Sequence, residues 1–244
     1  MDLNYSQEET KFREEVHHWL KINLPEDIRQ KVIGYQELTK EDYQRWHKIL
    51  AAKGWSVPHW PVEWGGTGWD MTQRYIYDEE FALAGAPRLP PFGPAMCAPV
   101  LLKFGTSAQK EQFLPRIREG DDFWVQGYSE PGAGSDLAAV KTRADRVGDH
   151  YVINGEKTSI TFADRADAYV VFARTGTPEQ GAKGVSAFFI PAGTRGLSAT
   201  SFDDLGSAII GRGQVFFDDV RIPVGNRLGD EGKFHKAGKL STVY

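Results

Sequence analysis

The 244-residue sequence holds one cysteine, Cys97, and only three methionines. A lone thiol excludes an internal disulfide and any zinc site built on several cysteines. It fits a reducing compartment. The N-terminus has neither a signal-peptide nor an Arg-rich transit pattern, so a cytoplasmic protein is expected. No stretch reaches the roughly 18 consecutive apolar residues of a membrane span. A basic excess is also missing: 29 Lys and Arg stand against 33 Asp and Glu, for a net charge of −4. That balance argues against a nucleic-acid binder, which carries a basic stripe. The six histidines form no HExxH or comparable spacing, so no metal site is expected. The adjacent His17 and His18 face different sides of one helix.

What is present is ordinary for a soluble globular protein: 41% hydrophobic, 25% charged and 12% aromatic residues. The length suffices for one or two domains with a real core.

The first 120 residues read as helical. Ser6 with Glu9 has the form of a capping box, and Phe12, Val16, Trp19 and Leu20 follow at helical spacing until Pro25. Thr39 caps a second helix with Tyr43, Trp46, Ile49 and Leu50 on its apolar side, stopped by Gly54. Trp55 to Trp69 carries four tryptophans among Gly and Pro, which predicts a packed loop rather than a linker. Asp70 and Gln73 start a third helix running toward Gly85. Pro87–Pro94 is incompatible with regular helix or central strand. A short apolar helix is expected around Val100–Phe104, and another, capped by Ser107, carries Phe113, Leu114 and Ile117.

After Gly120-Asp121-Asp122 the pattern changes to short apolar or alternating runs. These are Phe123–Tyr128, Thr142–Val147, Tyr151–Ile153, Tyr169–Ala173, Val185–Ile190, Gln214–Phe217 and Val220–Ile222. Gly148-Asp149 and Asn154-Gly155 read as tight turns between them. A β-barrel or sandwich is predicted. The expected organisation is a helical domain at 1–120, a β domain at 121–230 and an aberrant tail at 231–244.

Gly132-Ala133-Gly134 lacks the third glycine and the βαβ setting of a dinucleotide fingerprint. Gly206 and Gly211 are followed by Arg212-Gly213, which excludes a P-loop. Tyr128-Ser129-Glu130-Pro131-Gly132-Ala133-Gly134-Ser135-Asp136 is more informative. It is a strand end followed by small residues and two hydroxyls. Such a segment reads either as an ordinary turn or as a cradle whose main-chain N–H groups approach a phosphate.

That nine-residue string resembles the flavin signature of the acyl-CoA dehydrogenases, written TEPGAGSD with Thr where Ser129 stands. Lys141-Thr142-Arg143-Ala144, Tyr151–Lys157, Ile160-Thr161, Phe216–Pro223 and Asn226–Gly229 follow in the family's order. Upstream, Pro61-x-Glu63-Trp64-Gly65-Gly66 and Gly105-Thr106 with Gln112–Pro115 also match. The resemblance spans about residues 5–232.

The resemblance implies an α+β fold: an N-terminal all-α domain, a middle β-barrel, and beyond them a four-helix bundle. It implies FAD as cofactor and oxidation of an acyl-CoA thioester to the trans-2-enoyl-CoA. Electrons would pass to an electron-transferring flavoprotein, within a homo- or hetero-oligomer. By motif position, Gln126, Tyr128 and Ser129 would line the flavin. Gly134 and Ser135 would meet the pyrophosphate, and Ser135 also the CoA. Ile160 and Thr161 would face the ring edge. Ser159 stands where relatives often have Trp. Met96 lies where the acyl chain runs, although plain core packing explains it equally well.

The family's catalytic glutamate belongs to the bundle, and Glu130 belongs to the flavin loop, so no catalytic residue is expected in this chain. Similarity dissolves near Gly232, which suggests a truncated dehydrogenase arising from a frameshift. The alternative is an inactive flavin-domain fragment or the partner subunit of a heteromeric enzyme. A weaker alternative is an oxidase relative.

Overall fold

The computed structural model describes residues 4–203 and 210–231. These divide into two compact units. The first runs to Pro90 and takes in Arg118–Gly120; the second holds Pro91–Ile117 and the described residues from Asp121 onward.

The first unit is built from α1 (Gln7–Asn23), α2 (Glu26–Ile33), α3 (Lys40–Lys53) and α4 (Met71–Ala84). Reciprocal capping boxes open α1, α3 and α4 at Ser6/Glu9, Thr39/Asp42 and Asp70/Gln73. Each satisfies two backbone N–H groups that a helix start leaves without partners. Gly54 and Gly85 close α3 and α4 in left-handed conformations, at φ +78° and +73°. The sequence pattern does not reveal α2, a short helix after Pro25 with a single buried residue, Ile28.

Val16, Leu20, Ile28, Trp46, Leu50 and Phe81 fill the core of this unit. The Trp-rich segment joins it: Trp55 meets Trp19, Trp69 and Tyr77 with ring centroids 4.9, 5.5 and 5.8 Å away. Tyr77 completes the packing by donating its hydroxyl to the Trp55 carbonyl at 2.9 Å.

The second unit opens with a wide helical turn, Phe92–Cys97, then α5 (Ala98–Phe104) and α6 (Ser107–Glu119), which belongs to this unit as far as Ile117. Thr106, not Ser107, caps α6. Its Oγ1 accepts from Gln109 N at 3.2 Å, and its own N–H donates to Gln109 Oε1 at 3.0 Å. Eight strands follow: β1 (Trp124–Gly127), β2 (Arg143–Val147), β3 (His150–Thr161), β4 (Ala168–Arg174), β5 (Val185–Pro191), β6 (Leu197–Ser201), β7 (Arg212–Pro223) and β8 (Arg227–Leu228). They form one sheet in the order β6-β7-β3-β2-β4-β5-β8, with β1 parallel to β4. Val185–Ile190 of β5 is buried throughout, as expected for a strand covered on both faces. Phe113 of α6 packs there, 4.9 Å from Phe189.

Three strand expectations change. Gly148-Asp149 is the predicted hairpin turn, with Val147 opposite His150. Asn154-Gly155, however, is no turn; it lies inside β3. The runs Gln214–Phe217 and Val220–Ile222 are one strand interrupted by a bulge, where Asp218 and Asp219 oppose the single Asn154. Asn154 holds Asp219 in its left-handed conformation (φ +49°): its Oδ1 accepts from Asp219 N at 2.9 Å. The polar edge strand β6 gives no apolar alternation by which to find it. Of the expected tail at 231–244, all but Glu231 lies outside the described residues.

Gly155 sits at φ +140°, where an added Cβ would fall 2.8 Å from Thr142 Cα. Gly155→Ala should therefore cost about 3 kcal/mol of stability. Gly54→Ala meets nothing within 4 Å and should cost only about 1 kcal/mol of left-handed strain. Urea denaturation of the two variants separates these values; equal midpoints would contradict the close approach.

Candidate functional site

The segment that resembles a flavin signature begins where β1 ends. β1 runs parallel to β4, with Gln126 opposite Val170 and Gly127 opposite Val171. An added Cβ on Gly127 would lie 3.2 Å from Val171 Cγ2, so glycine lets the two strands close up. Tyr128 packs edge-on against Phe172 at 4.2 Å, and its hydroxyl accepts from Gln126 Nε2 at 3.2 Å. Burial, with Cys97 close by, pushes the Tyr128 phenol well above its ordinary value, so it stays a neutral hydroxyl.

The chain then turns tightly: Glu130 N donates to Ala133 O at 2.8 Å, and Ala133 N to Glu130 O at 3.1 Å. Gly134, Ser135 and Asp136 follow on the surface. At Gly132 and Gly134 an added Cβ would meet nothing within 4 Å, and neither has a positive φ. The fold does not demand glycine at these positions. An external group approaching the main chain does supply a reason for it.

The second segment lies on β3. Lys157 pairs with Val215 and Ile160 with Gly213, so Thr158 and Ser159 oppose Gln214 alone. This bulge puts Ser159 at φ +57°. Bulges of this kind bend a strand and re-aim its side chains. Ser159 is exposed, Ile160 is buried and Thr161 is half-buried. Phe162 follows at φ +58°, its ring 5.3 Å from Phe123 and 6.4 Å from Phe92.

A main-chain hydrogen bond ties the two segments together: Thr158 N donates to Ser129 O at 2.9 Å. Gln126, Tyr128 and Ser129 are thereby brought beside Ser159, Ile160 and Thr161. Gly134 and Ser135 sit on the exposed loop between β1 and β2. Met96 lies half-buried in the wide turn, whose Gly93 is packed against Trp124 of β1. Among the described residues, the hydroxyls of Ser129, Ser135, Ser159 and Thr161 make no hydrogen bond and remain open to a ligand.

The sequence reading leaves out the supports beneath this loop. Lys157 is 0% exposed and Glu130 8%. Lys157 Nζ donates to Glu130 Oε1 at 2.8 Å and to Tyr128 O at 3.1 Å. Glu130 also accepts from Lys141 N at 2.6 Å and Thr142 N at 2.9 Å. The available signal is parity: Lys157 falls in step with the inward-facing Tyr151 and Ile153, and an inward lysine needs a carboxylate. Arg174 is buried as well. It donates to the carbonyls of Val140 at 3.0 Å, Thr177 at 3.1 Å and Gly181 at 3.3 Å, and also to that of Ala138.

Burial opposes ionisation of Glu130. The hydrogen bonds from Lys157, Thr142 and Lys141 outweigh it and hold the carboxyl below its ordinary range. A group of this kind adds stability that is present above its unfolded value and is lost as pH falls through the folded one. The melting temperature should fall steeply below about pH 4, and Glu130→Gln should flatten that limb. Equal acid limbs in the two proteins would refute the assignment. Ser159→Gly, by relieving left-handed strain, should stabilise the fold by about 0.5–1 kcal/mol in the same melts.

Among the described residues, no group of three His, Cys, Asp or Glu could hold a metal ion. No helix there is long and apolar enough to cross a membrane.

Comparison with known proteins agrees with the fold. A family model described as acyl-CoA dehydrogenase, N-terminal domain, matches residues 6–121, and one for the middle domain matches residues 126–220. Acyl-CoA dehydrogenase IpdE1 of Mycobacterium tuberculosis is 38% identical over 93% of this chain and 60% of its own length. The solved steroid ACAD Tcur3481-Tcur3483 superposes with a TM-score of 0.87 at 33% identity, over 99% of this chain and 62% of its own. The ChsE4-ChsE5 complex from Mycobacterium tuberculosis gives 0.83 at 32%, over 98% and 60%. The chain thus spans about three fifths of the length of these relatives. With two of the family's domain models matched in series, the chain belongs to the acyl-CoA dehydrogenase family and carries its N-terminal and middle domains.

Proposed function

We propose that this chain provides the flavin-facing part of an FAD-dependent acyl-CoA dehydrogenase, an oxidoreductase of the cytoplasm. The reaction would take an acyl-CoA thioester to its trans-2-enoyl-CoA and pass electrons to an electron-transferring flavoprotein. The observation that carries this reading is the Thr158–Ser129 main-chain bond, which joins two hydroxyl-bearing segments at a strand end and a bulge. The family is FAD-dependent, and by motif position both segments would stand at its flavin site.

Bound FAD would supply the hydride acceptor. Ser129 would donate to the ring, with Gln126 and Tyr128 lining it. Ile160 and Thr161 would face the ring edge. Ser159, in place of Trp, would leave room beside it. Gly134 and Ser135 would offer main-chain and hydroxyl donors to the pyrophosphate, and Ser135 also to the CoA. Met96 would border the acyl chain. Glu130, locked to Lys157, is unsuited to take a proton. We assign no catalytic base among the described residues. Residues 1–120 would serve as the helical domain and 121–230 as the flavin domain.

A second reading, a subunit that works with another chain, is favoured by the likeness to the solved ChsE4-ChsE5 complex. The visible spectrum of the purified chain, after FAD is added and the excess removed, discriminates between them. Retained flavin near one per chain supports the first reading; none retained supports the second. Gly134→Val, whose side chain meets no protein atom at Cβ, should leave the melting temperature unchanged while weakening FAD about tenfold. Unchanged affinity would remove Gly134 from the site.

A further inference from the structure

The loop from Glu130 to Thr142 has little ladder of its own. Within it, Ala139 N donates to Asp136 O at 3.1 Å and Val140 N to Leu137 O at 3.4 Å, beyond the initial turn. Loops so sparsely bonded normally move. This one is held at both ends by buried cations instead.

At its start, Lys157 grips the Tyr128 carbonyl and the Glu130 carboxylate. The same carboxylate reaches across to the N–H groups of Lys141 and Thr142, so one side chain closes the loop on itself. At the far end, Arg174 binds the carbonyls of Ala138 and Val140, and its own N–H donates to Thr142 O at 2.7 Å. Removing one member of a buried pair strands the other, so each charge enforces the position of its partner.

We propose that Glu130, Lys157 and Arg174 are positioning residues: a buried clasp that fixes residues 131–140 in the one backbone conformation able to receive a pyrophosphate. The inference rests on the flavin reading of the site for its ligand, and on the hydrogen bonds alone for the clasp.

The test uses the full chain with Glu130→Gln, Lys157→Met and the double variant, which strands no buried charge and stays informative if a single change unfolds the protein. Asp145→Asn, in the exposed pair with Arg143, is the control. Two quantities are read: FAD affinity against riboflavin affinity, and amide exchange of residues 131–141 against residues 185–191. The clasp predicts FAD weakened about tenfold, with riboflavin, which lacks the pyrophosphate, changed less than about twofold. It also predicts exchange in 131–141 faster by about tenfold, with 185–191 unchanged.

The proposal is overturned if the folded double variant keeps wild-type FAD affinity. It is also overturned if FAD and riboflavin weaken in equal proportion, or if exchange in 131–141 does not rise. Should the wild-type chain take up neither flavin, the flavin reading fails by itself, and the exchange comparison decides the clasp.

Discussion

A lysine pointing into a β-sheet is the constraint on which the candidate site depends. Lys157 has no exposed surface, and its ammonium would be prohibitively costly there without a partner. Glu130 answers it, and in doing so reaches residues 12 positions further along the chain. A buried pair of this kind adds little net stability over an apolar substitute, but it strongly penalises any arrangement that separates its members. What it confers here is definition: the strand end at Tyr128, the start of the loop and its return at Lys141–Thr142 share one carboxylate or one ammonium.

Two bulges on neighbouring strands shape the rest. Each inserts one residue and places a non-glycine side chain at positive φ, Ser159 on β3 and Asp219 on β7. At Asp219 the cause is local, because the Asn154 side chain bonds its N–H. At Ser159 no side-chain bond offsets the strain among the described residues. Strain kept without a local return is characteristic of positions whose aim matters more than their comfort. The Thr158 N–H, turned by that bulge, is the one that meets Ser129.

The helical unit shows a different economy. Its helices start and stop on local chemistry, with three reciprocal capping boxes and left-handed glycines at Gly54 and Gly85. Its loop of tryptophans is held by ring packing around Trp55 rather than by backbone ladders. Aromatic contacts of this type carry enough buried area to fix irregular chain without secondary structure.

These contrasts explain what was legible in the sequence. Helix limits were readable because Ser6, Thr39, Asp70 and the closing glycines act within four residues of themselves. The wide turn at Phe92–Cys97 was readable only as an exclusion, since prolines forbid regular structure without specifying what replaces it. Motif order alone was enough to identify the family. The sequence could not reveal that Asn154-Gly155 continues a strand, because the deciding partner, the bulge at Asp218-Asp219, lies some 65 residues away. Nor could it reveal the clasp. The parity of β3 marks Lys157 as inward-facing, but which carboxylate answers it is fixed only when β1 and β3 are set side by side, and Arg174 acts on carbonyls that carry no mark in a sequence. Local rules set the elements; the pairing of buried charges, which depends on distance in space, was decided by the tertiary structure alone.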